Sequence, residues 1–117
     1  MKKILIVEDS MLYINIYTEA LAGKAELLIA ETVEEAIRLF NENTDVAVVV
    51  MDGCLNRNSV FDTHKVIKHI RACGYTGHII ANSSGNNRPL VNSGCNKVCT
   101  YGDKNLIPTQ LTVLLGL

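Results

Sequence analysis

Residues 46–52 read VAVVVMD, an unbroken apolar run that ends in an aspartate. β-Branched residues dominate this run, which is typical of a strand buried on both faces of a parallel sheet. Residues 4–9 read ILIVED and repeat the pattern, with two acids directly after the apolar run. Both segments therefore predict central strands that carry carboxylates at their carboxyl ends.

Apolar runs and helical patterns alternate along the rest of the chain. Ser10 and Thr32 are predicted helix N-caps, Glu35 is predicted to complete a capping box with Thr32, and Gly23 ends the first helix. The predicted strands cover residues 4–7, 26–30, 46–51, 78–82 and 97–101. The first predicted helix lies between Ser10 and Gly23, and the other four cover residues 32–40, 60–73, 89–93 and 105–115.

Strands joined by helices of this length favour one doubly wound α/β domain over residues 1–117. We expect a five-stranded parallel sheet in the order 2-1-3-4-5 with helices on both faces, which is the flavodoxin-like three-layer arrangement. Strands 1 and 3 are neighbours in this order. The acids that follow them, Glu8, Asp9 and Asp52, are therefore expected to converge on one small site.

Three carboxylates in one site would repel one another and raise one another's pKa. A hard divalent cation such as Mg²⁺ resolves the repulsion, because it binds a few carboxylate oxygens and keeps several waters. The plainer alternative is that acids at strand ends begin loops or cap helices. Three acids at these places favour a Mg²⁺ site.

The composition limits the classes of function. Hydrophobic residues make up 48% of the 117 residues, which is enough for a buried core and too much for wholesale disorder. Lys and Arg number 11 and Asp and Glu number 12, a net charge of −1 that argues against a broad nucleic-acid or membrane-binding surface. No apolar run approaches the roughly 18 residues of a transmembrane helix.

The chain has four cysteines, which we expect to be reduced thiols: Cys54, Cys73, Cys95 and Cys99. Only four apolar residues follow the first three residues (MKK), which is not a signal peptide, so a cytoplasmic protein is expected. Cys95 and Cys99 could bind zinc with one or two of the histidines, His64, His69 and His78. No CxxC pair supports zinc, and both cysteines are better explained as small buried hydrophobes.

Three segments resemble a known family: residues 4–10 (ILIVEDS), 48–52 (VVVMD) and 79–84 (IIANSS). In element order and spacing they are similar to the response-regulator receiver domain of two-component signalling, of the kind found in chemotaxis regulators. The resemblance covers essentially the whole chain and is most specific up to Asp52. It implies a signalling domain and not a classical enzyme, with Mg²⁺-dependent phosphotransfer and self-dephosphorylation as its reactions.

The resemblance implies that a sensor histidine kinase or a phosphotransfer protein passes a phosphoryl group to Asp52. Glu8 and Asp9 would position Mg²⁺, and the main-chain carbonyl of Cys54 would complete the protein ligands. Ser83 matches the family's switch hydroxyl. An output partner is implied without being identified, a homodimer is left open, and neither nucleic acid nor membrane is implied.

The family has a lysine after the fifth strand, usually followed by proline. Counting without gaps places Tyr101 at this position, whereas three extra residues place Lys104 there and Tyr101 at the family's switch aromatic. Lys104 is favoured because an acidic site without a nearby cation is unfavourable. Two alternatives stay open: Lys104 could be a solvated loop residue, and Ser84 is a rival to Ser83.

The loops depart further from the family pattern. Residues 53–59 lack the usual proline and the later glycine, Arg57 is predicted to lean over the site, and residues 86–88 (NNR) alter the fourth loop. These departures favour a second hypothesis, a pseudo-receiver that acts as a protein-interaction module without regulated phosphorylation. Two enzyme classes are disfavoured. A Mg²⁺-dependent phosphatase would ordinarily have an acid at the position of Cys54, and a dinucleotide enzyme would have a glycine-rich turn after the first strand; the sequence has neither.

Overall fold

The computed structural model describes residues 1–55, 62–85 and 87–117. The strands are β1 (Lys3–Val7), β2 (Glu26–Ala30), β3 (Val48–Met51), β4 (His78–Ala81) and β5 (Lys97–Val98). The helices are α1 (Met11–Leu21), α2 (Val33–Glu42), α3 (His64–Ala72), α4 (Arg88–Ser93) and α5 (Ile107–Leu115). Two 3₁₀ turns, Thr100–Gly102 and Lys104–Leu106, connect β5 to α5.

The strands form one parallel sheet in the order β2-β1-β3-β4-β5, which confirms the predicted topology. Successive side chains of β1 point to opposite faces. Leu5 packs in the core on the face that carries α2 and α3, and Ile6 packs on the face that carries α1 and α5. Because both faces are buried, the central strands read as continuous apolar runs.

Most predicted elements have slightly different bounds in the structure; α5, for example, begins at Ile107 instead of residue 105. β3 begins at Val48, two residues later than predicted, because Val46 still belongs to the turn after α2, where its N–H donates to the Asn43 carbonyl. β5 ends at Val98, since the chain turns into the 3₁₀ segment Thr100–Gly102. The third helix begins at His64 instead of residue 60; of its predicted first turn, residues 60 and 61 lie outside the described residues.

The predicted caps are partly correct. The Thr32 side chain accepts a hydrogen bond from the Glu35 N–H at 3.1 Å, as an N-cap does. The capping box also predicts that the Glu35 side chain accepts from the main-chain N–H of Thr32. This part of the prediction is wrong, because the Glu35 carboxylate accepts from the N–H of Glu31 at 2.8 Å. Ser10 occupies the N-cap position of α1, but its side chain makes no capping hydrogen bond.

The last two cysteines of the chain lie in the interior. Cys95 and Cys99 are 4% and 2% exposed, which confirms their interpretation as small buried hydrophobes. None of the four cysteines is in a disulfide bond. Among the described helices, none combines the length and the apolar character needed to cross a membrane.

Candidate functional site

The carboxyl edge of the sheet places three polar residues in a row. Glu8, Asp52 and Asn82 are the first residues after β1, β3 and β4. Each donates its main-chain N–H to the last residue of a neighbouring strand, at 2.8–3.0 Å. The sheet ladder therefore continues one step beyond the strands and fixes where these three side chains begin.

The acids predicted to converge do lie together. Carboxylate oxygens of Glu8, Asp9 and Asp52 all lie within 4.8 Å of one another. Glu8 is 1% exposed and Asp52 is 9% exposed, whereas Asp9 is half-buried at the rim. The Gly53 N–H donates to Asp52 Oδ1 at 2.7 Å and orients this carboxylate. The arrangement is a small acidic site with one side open to the surface.

Lys104 supplies the cation of this site. Its Nζ lies 2.6 Å from Glu8 Oε1 and 3.4 Å from Asp52 Oδ1, and its side chain is 7% exposed. The lysine begins the 3₁₀ turn Lys104–Leu106, where the Asp103 side chain accepts from the N–H of Asn105. The structure therefore brings Lys104 to the acids, and it is not a solvated loop residue.

The charges in the site shift two pKa values. Burial, followed by the charge of Glu8, raises the pKa of Asp52 to about 7, against the opposing charge of Lys104. Burial lowers the pKa of Lys104, but the short contact with Glu8 and the charge of Asp52 outweigh it, so the net shift is upward. Lys104 is thus held as an ammonium ion, and it compensates only part of the acidic charge.

Three residues of the site were not predicted from the sequence. The Tyr13 ring lies under Lys104, with its centroid 4.5 Å from Nζ. The Tyr17 hydroxyl donates to the main-chain carbonyl of Lys104 at 2.8 Å and accepts from Asn82 Nδ2 at 3.0 Å. Two signals were present in the sequence: tyrosines four apart on α1, and an amide directly after the apolar strand β4.

Of the remaining predicted site residues, Ser83 and Cys54 follow the site strands closely, whereas Tyr101 lies outside the site. Ser83 directly follows Asn82, and its Oγ accepts from the Gly85 N–H at 3.2 Å. Cys54 is half-buried two residues after Asp52. Tyr101 is not brought to the site, because it lies in the 3₁₀ turn beyond β5 with its side chain 95% exposed. Arg57 and the loop 56–61 lie outside the described residues, as does Asn86.

Solved structures of receiver domains share this architecture. The receiver domain of the Francisella response regulator 1452 superposes with a TM-score of 0.76 at 19% identity, covering 99% of this chain and 98% of that one. The BeF3-activated DrrB receiver domain gives a TM-score of 0.72 at 17% identity, covering 100% and 99%. The Mn(2+)-bound form of response regulator Rcp1 gives 0.73 at 17% identity, covering 98% and 94%.

The likeness is one of structure and not of close sequence. No protein-family model and no curated protein sequence matches the chain significantly. The resemblance drawn from residues 4–10, 48–52 and 79–84 is nevertheless confirmed for the fold, since the superpositions extend over nearly the whole chain. This chain has the fold of the response-regulator receiver domain.

Proposed function

We propose that this protein is a two-component receiver that accepts a phosphoryl group on Asp52 from a histidine kinase or a phosphotransfer protein in the cytoplasm. One observation carries the proposal: Asp52 is a buried carboxylate flanked by two further acids and by the ammonium group of Lys104. This combination can bind a divalent cation and, on the other side, a transferring phosphoryl group.

The acids fit a divalent cation. Glu8, Asp9 and Asp52 offer hard oxygen ligands within 4.8 Å of one another. Burial, and after it the charge of Glu8, raises the pKa of Asp52. We propose that these three residues, with the main-chain carbonyl of Cys54, hold Mg²⁺. When bound, the ion would neutralise charge on the phosphoryl oxygens. The Mn(2+)-bound form of Rcp1 shows that a protein of this fold binds a divalent metal.

The proposed transfer uses Asp52 as the nucleophile. A carboxylate oxygen of Asp52 forms a bond to phosphorus while the bond from phosphorus to the donor histidine nitrogen breaks, and the electron pair leaves with that nitrogen. Lys104, 3.4 Å from Asp52 Oδ1, would stabilise the charge on the phosphoryl oxygens. Ser83 would donate its hydroxyl to a phosphoryl oxygen once it turns away from Gly85.

The intact mass of the protein after incubation with acetyl phosphate and Mg²⁺ tests the proposal. The expected result is a gain of one phosphoryl group that disappears in Asp52→Asn. Asp45→Asn is the matched control, because Asp45 is an exposed acid paired with Lys3 on the surface. A mass gain that persists in Asp52→Asn, or a wild type that stays unmodified and fails to bind beryllofluoride, would contradict the proposal.

A second candidate is the pseudo-receiver, an interaction module without regulated phosphorylation. The observation in its favour is the 2.6 Å contact between Lys104 and Glu8, which compensates one acid without any metal. In this case the site would serve to hold β1 and the segment after β5 together. Absence of both phosphorylation and beryllofluoride binding, with the fold intact, is the result that this candidate requires.

A further inference from the structure

The segment that carries Lys104 reaches the acids by an unusual route. One 3₁₀ turn, Thr100–Gly102, separates β5 from Lys104, which begins the second 3₁₀ turn. Tyr101 and Gly102 in the first turn have positive φ. Among the described residues, the last sheet hydrogen bond of this segment is that of Cys99. Something else must therefore hold the lysine against Glu8 and Asp52.

The main chain of Lys104 is held by a buried phenol. The Tyr17 hydroxyl donates to the Lys104 carbonyl at 2.8 Å, and the Tyr17 side chain is fully buried under α1. Burial raises the pKa of this phenol, so the group stays protonated and remains a donor. Because the carbonyl belongs to the residue whose ammonium group enters the site, this one hydrogen bond fixes the start of the lysine side chain.

Asn82 fixes the phenol in turn. Its Nδ2 donates to the Tyr17 oxygen at 3.0 Å, and the residue is 0% exposed. Its Oδ1 has no hydrogen-bond partner among the described residues. A buried amide with one unused acceptor is unfavourable compared with an apolar side chain, so packing alone does not explain an asparagine here. The bond to Tyr17 does.

We propose that Tyr17, held by Asn82, is a positioning residue that places Lys104 against Glu8 and Asp52. The Tyr13 ring, 4.5 Å from Nζ, covers the other end of the same side chain. Helix α1 thus holds the lysine at its carbonyl and at its ammonium group. The effect on phosphotransfer rests on the proposed function, whereas the position of Lys104 does not.

The accessibility of the Lys104 amine tests the position directly. We would acetylate the folded protein briefly with N-hydroxysuccinimide acetate and measure modified Lys104 relative to Lys68, which is exposed, by peptide mass spectrometry. In Tyr17→Phe, Lys104 acetylation should rise roughly three- to tenfold, the range that loss of one buried hydrogen bond allows. Asn82→Leu should give a smaller rise, because the bond from Tyr17 to the carbonyl remains.

Tyr75→Phe is the matched control. Like Tyr17→Phe, it removes a tyrosine hydroxyl that donates to a main-chain carbonyl, here that of His78 at 3.4 Å. Tyr75 is half-buried and lies on the opposite face of the sheet. Its Lys104 acetylation should equal that of the wild type. Buried Cys95 should resist N-ethylmaleimide in every variant, which shows that each stays folded. Unchanged Lys104 acetylation in Tyr17→Phe, or an equal rise in Tyr75→Phe, would overturn the proposal.

Phosphorylation by acetyl phosphate gives the functional arm. Tyr17→Phe should slow the modification of Asp52 several-fold, and Tyr75→Phe should leave it unchanged. If the wild type is never phosphorylated, the proposed function fails while the acetylation result still decides the position of Lys104. If the wild type is phosphorylated and Tyr17→Phe matches its rate despite a more accessible Lys104, the link between positioning and phosphotransfer is overturned.

Discussion

Lys104 is the residue on which the electrostatic balance of the site depends. In the part of the chain that the structure describes, it is the cation in contact with both Glu8 and Asp52, and all three residues are largely buried. Lys104→Met keeps most of the side-chain volume but leaves the acids without compensation. We expect the free energy of unfolding to fall by roughly 3–5 kcal/mol in urea titrations, as when a buried charge loses its partner.

Lys3→Met is the matched control for this prediction. Lys3 also forms an ion pair, with Asp45 at 3.3 Å, but the Asp45 side chain is 70% exposed. An exposed pair contributes about 0–1 kcal/mol, so this variant should change stability little. Adding Glu8→Gln to Lys104→Met should recover part of the loss. A loss no larger than that of Lys3→Met would show that Lys104 is not ion-paired in solution.

The buried thiol of Cys95 makes the free energy of unfolding depend on pH in the alkaline range. Burial raises the pKa of its thiol from 9.0 to about 12, although the nearby charge of Arg71 acts in the opposite direction. Above pH 9 the unfolded thiol loses its proton while the folded thiol keeps it, so stability is full below pH 9 and falls as the pH rises towards 12. Cys95→Ala should flatten this decline in unfolding titrations at increasing pH.

Cys73→Ala serves as the control for this pH dependence, because Cys73 is exposed. The free energy of unfolding of Cys73→Ala should decline above pH 9 with the same slope as that of the wild type, since both proteins keep Cys95 and the same tyrosines and lysines. Equal slopes for Cys95→Ala and Cys73→Ala would show that the buried thiol does not contribute.

At the scale of elements, the strands were more predictable than the segments that end them. The apolar runs that form β1 and β3 follow from burial on both faces, which the sequence displays directly. The end of β5 could not be predicted in this way, because Val98, Thr100 and Tyr101 all favour strands, yet Tyr101 adopts φ 56° in a turn. Left-handed backbone at a tyrosine has no sequence signal, since glycine or asparagine is the usual residue there.

The two helix caps differ in a way that mutagenesis can measure. Thr32 accepts a hydrogen bond from the Glu35 N–H, whereas Ser10 makes no side-chain capping bond. Thr32→Ala should therefore lower the free energy of unfolding by about 1 kcal/mol, within the range of about 0.5–2 known for lost caps. Ser10→Ala is the internal control and should change it by no more than about 0.5 kcal/mol in the same thermal or urea unfolding experiment. Equal losses would contradict the assigned difference.

At the scale of the whole molecule, the sheet order assembles the site. Glu8 and Asp52 lie 44 positions apart in the chain, yet β1 and β3 are neighbours and place both acids at one edge. The strand order therefore made the acidic cluster predictable. The positions of Lys104 and of the buried pair Tyr17 and Asn82 were harder to predict. They depend on irregular turns and on side-chain hydrogen bonds, and such turns and bonds leave no periodic pattern in the sequence.

Metal binding should therefore stabilise the whole fold, because only the folded chain brings the three acids together. The free energy of unfolding should rise with Mg²⁺ concentration, reaching about 2.7 kcal/mol at 100 times the dissociation constant. Asp9→Asn removes a half-buried carboxylate of the cluster and should shift this rise to higher Mg²⁺, whereas the exposed-acid control Asp45→Asn should follow the wild type. Sodium chloride at matched ionic strength should not reproduce the gain. If it does, or if Asp9→Asn responds to Mg²⁺ as the wild type does, the stabilisation comes from screening of surface charge and the acids do not form the metal site.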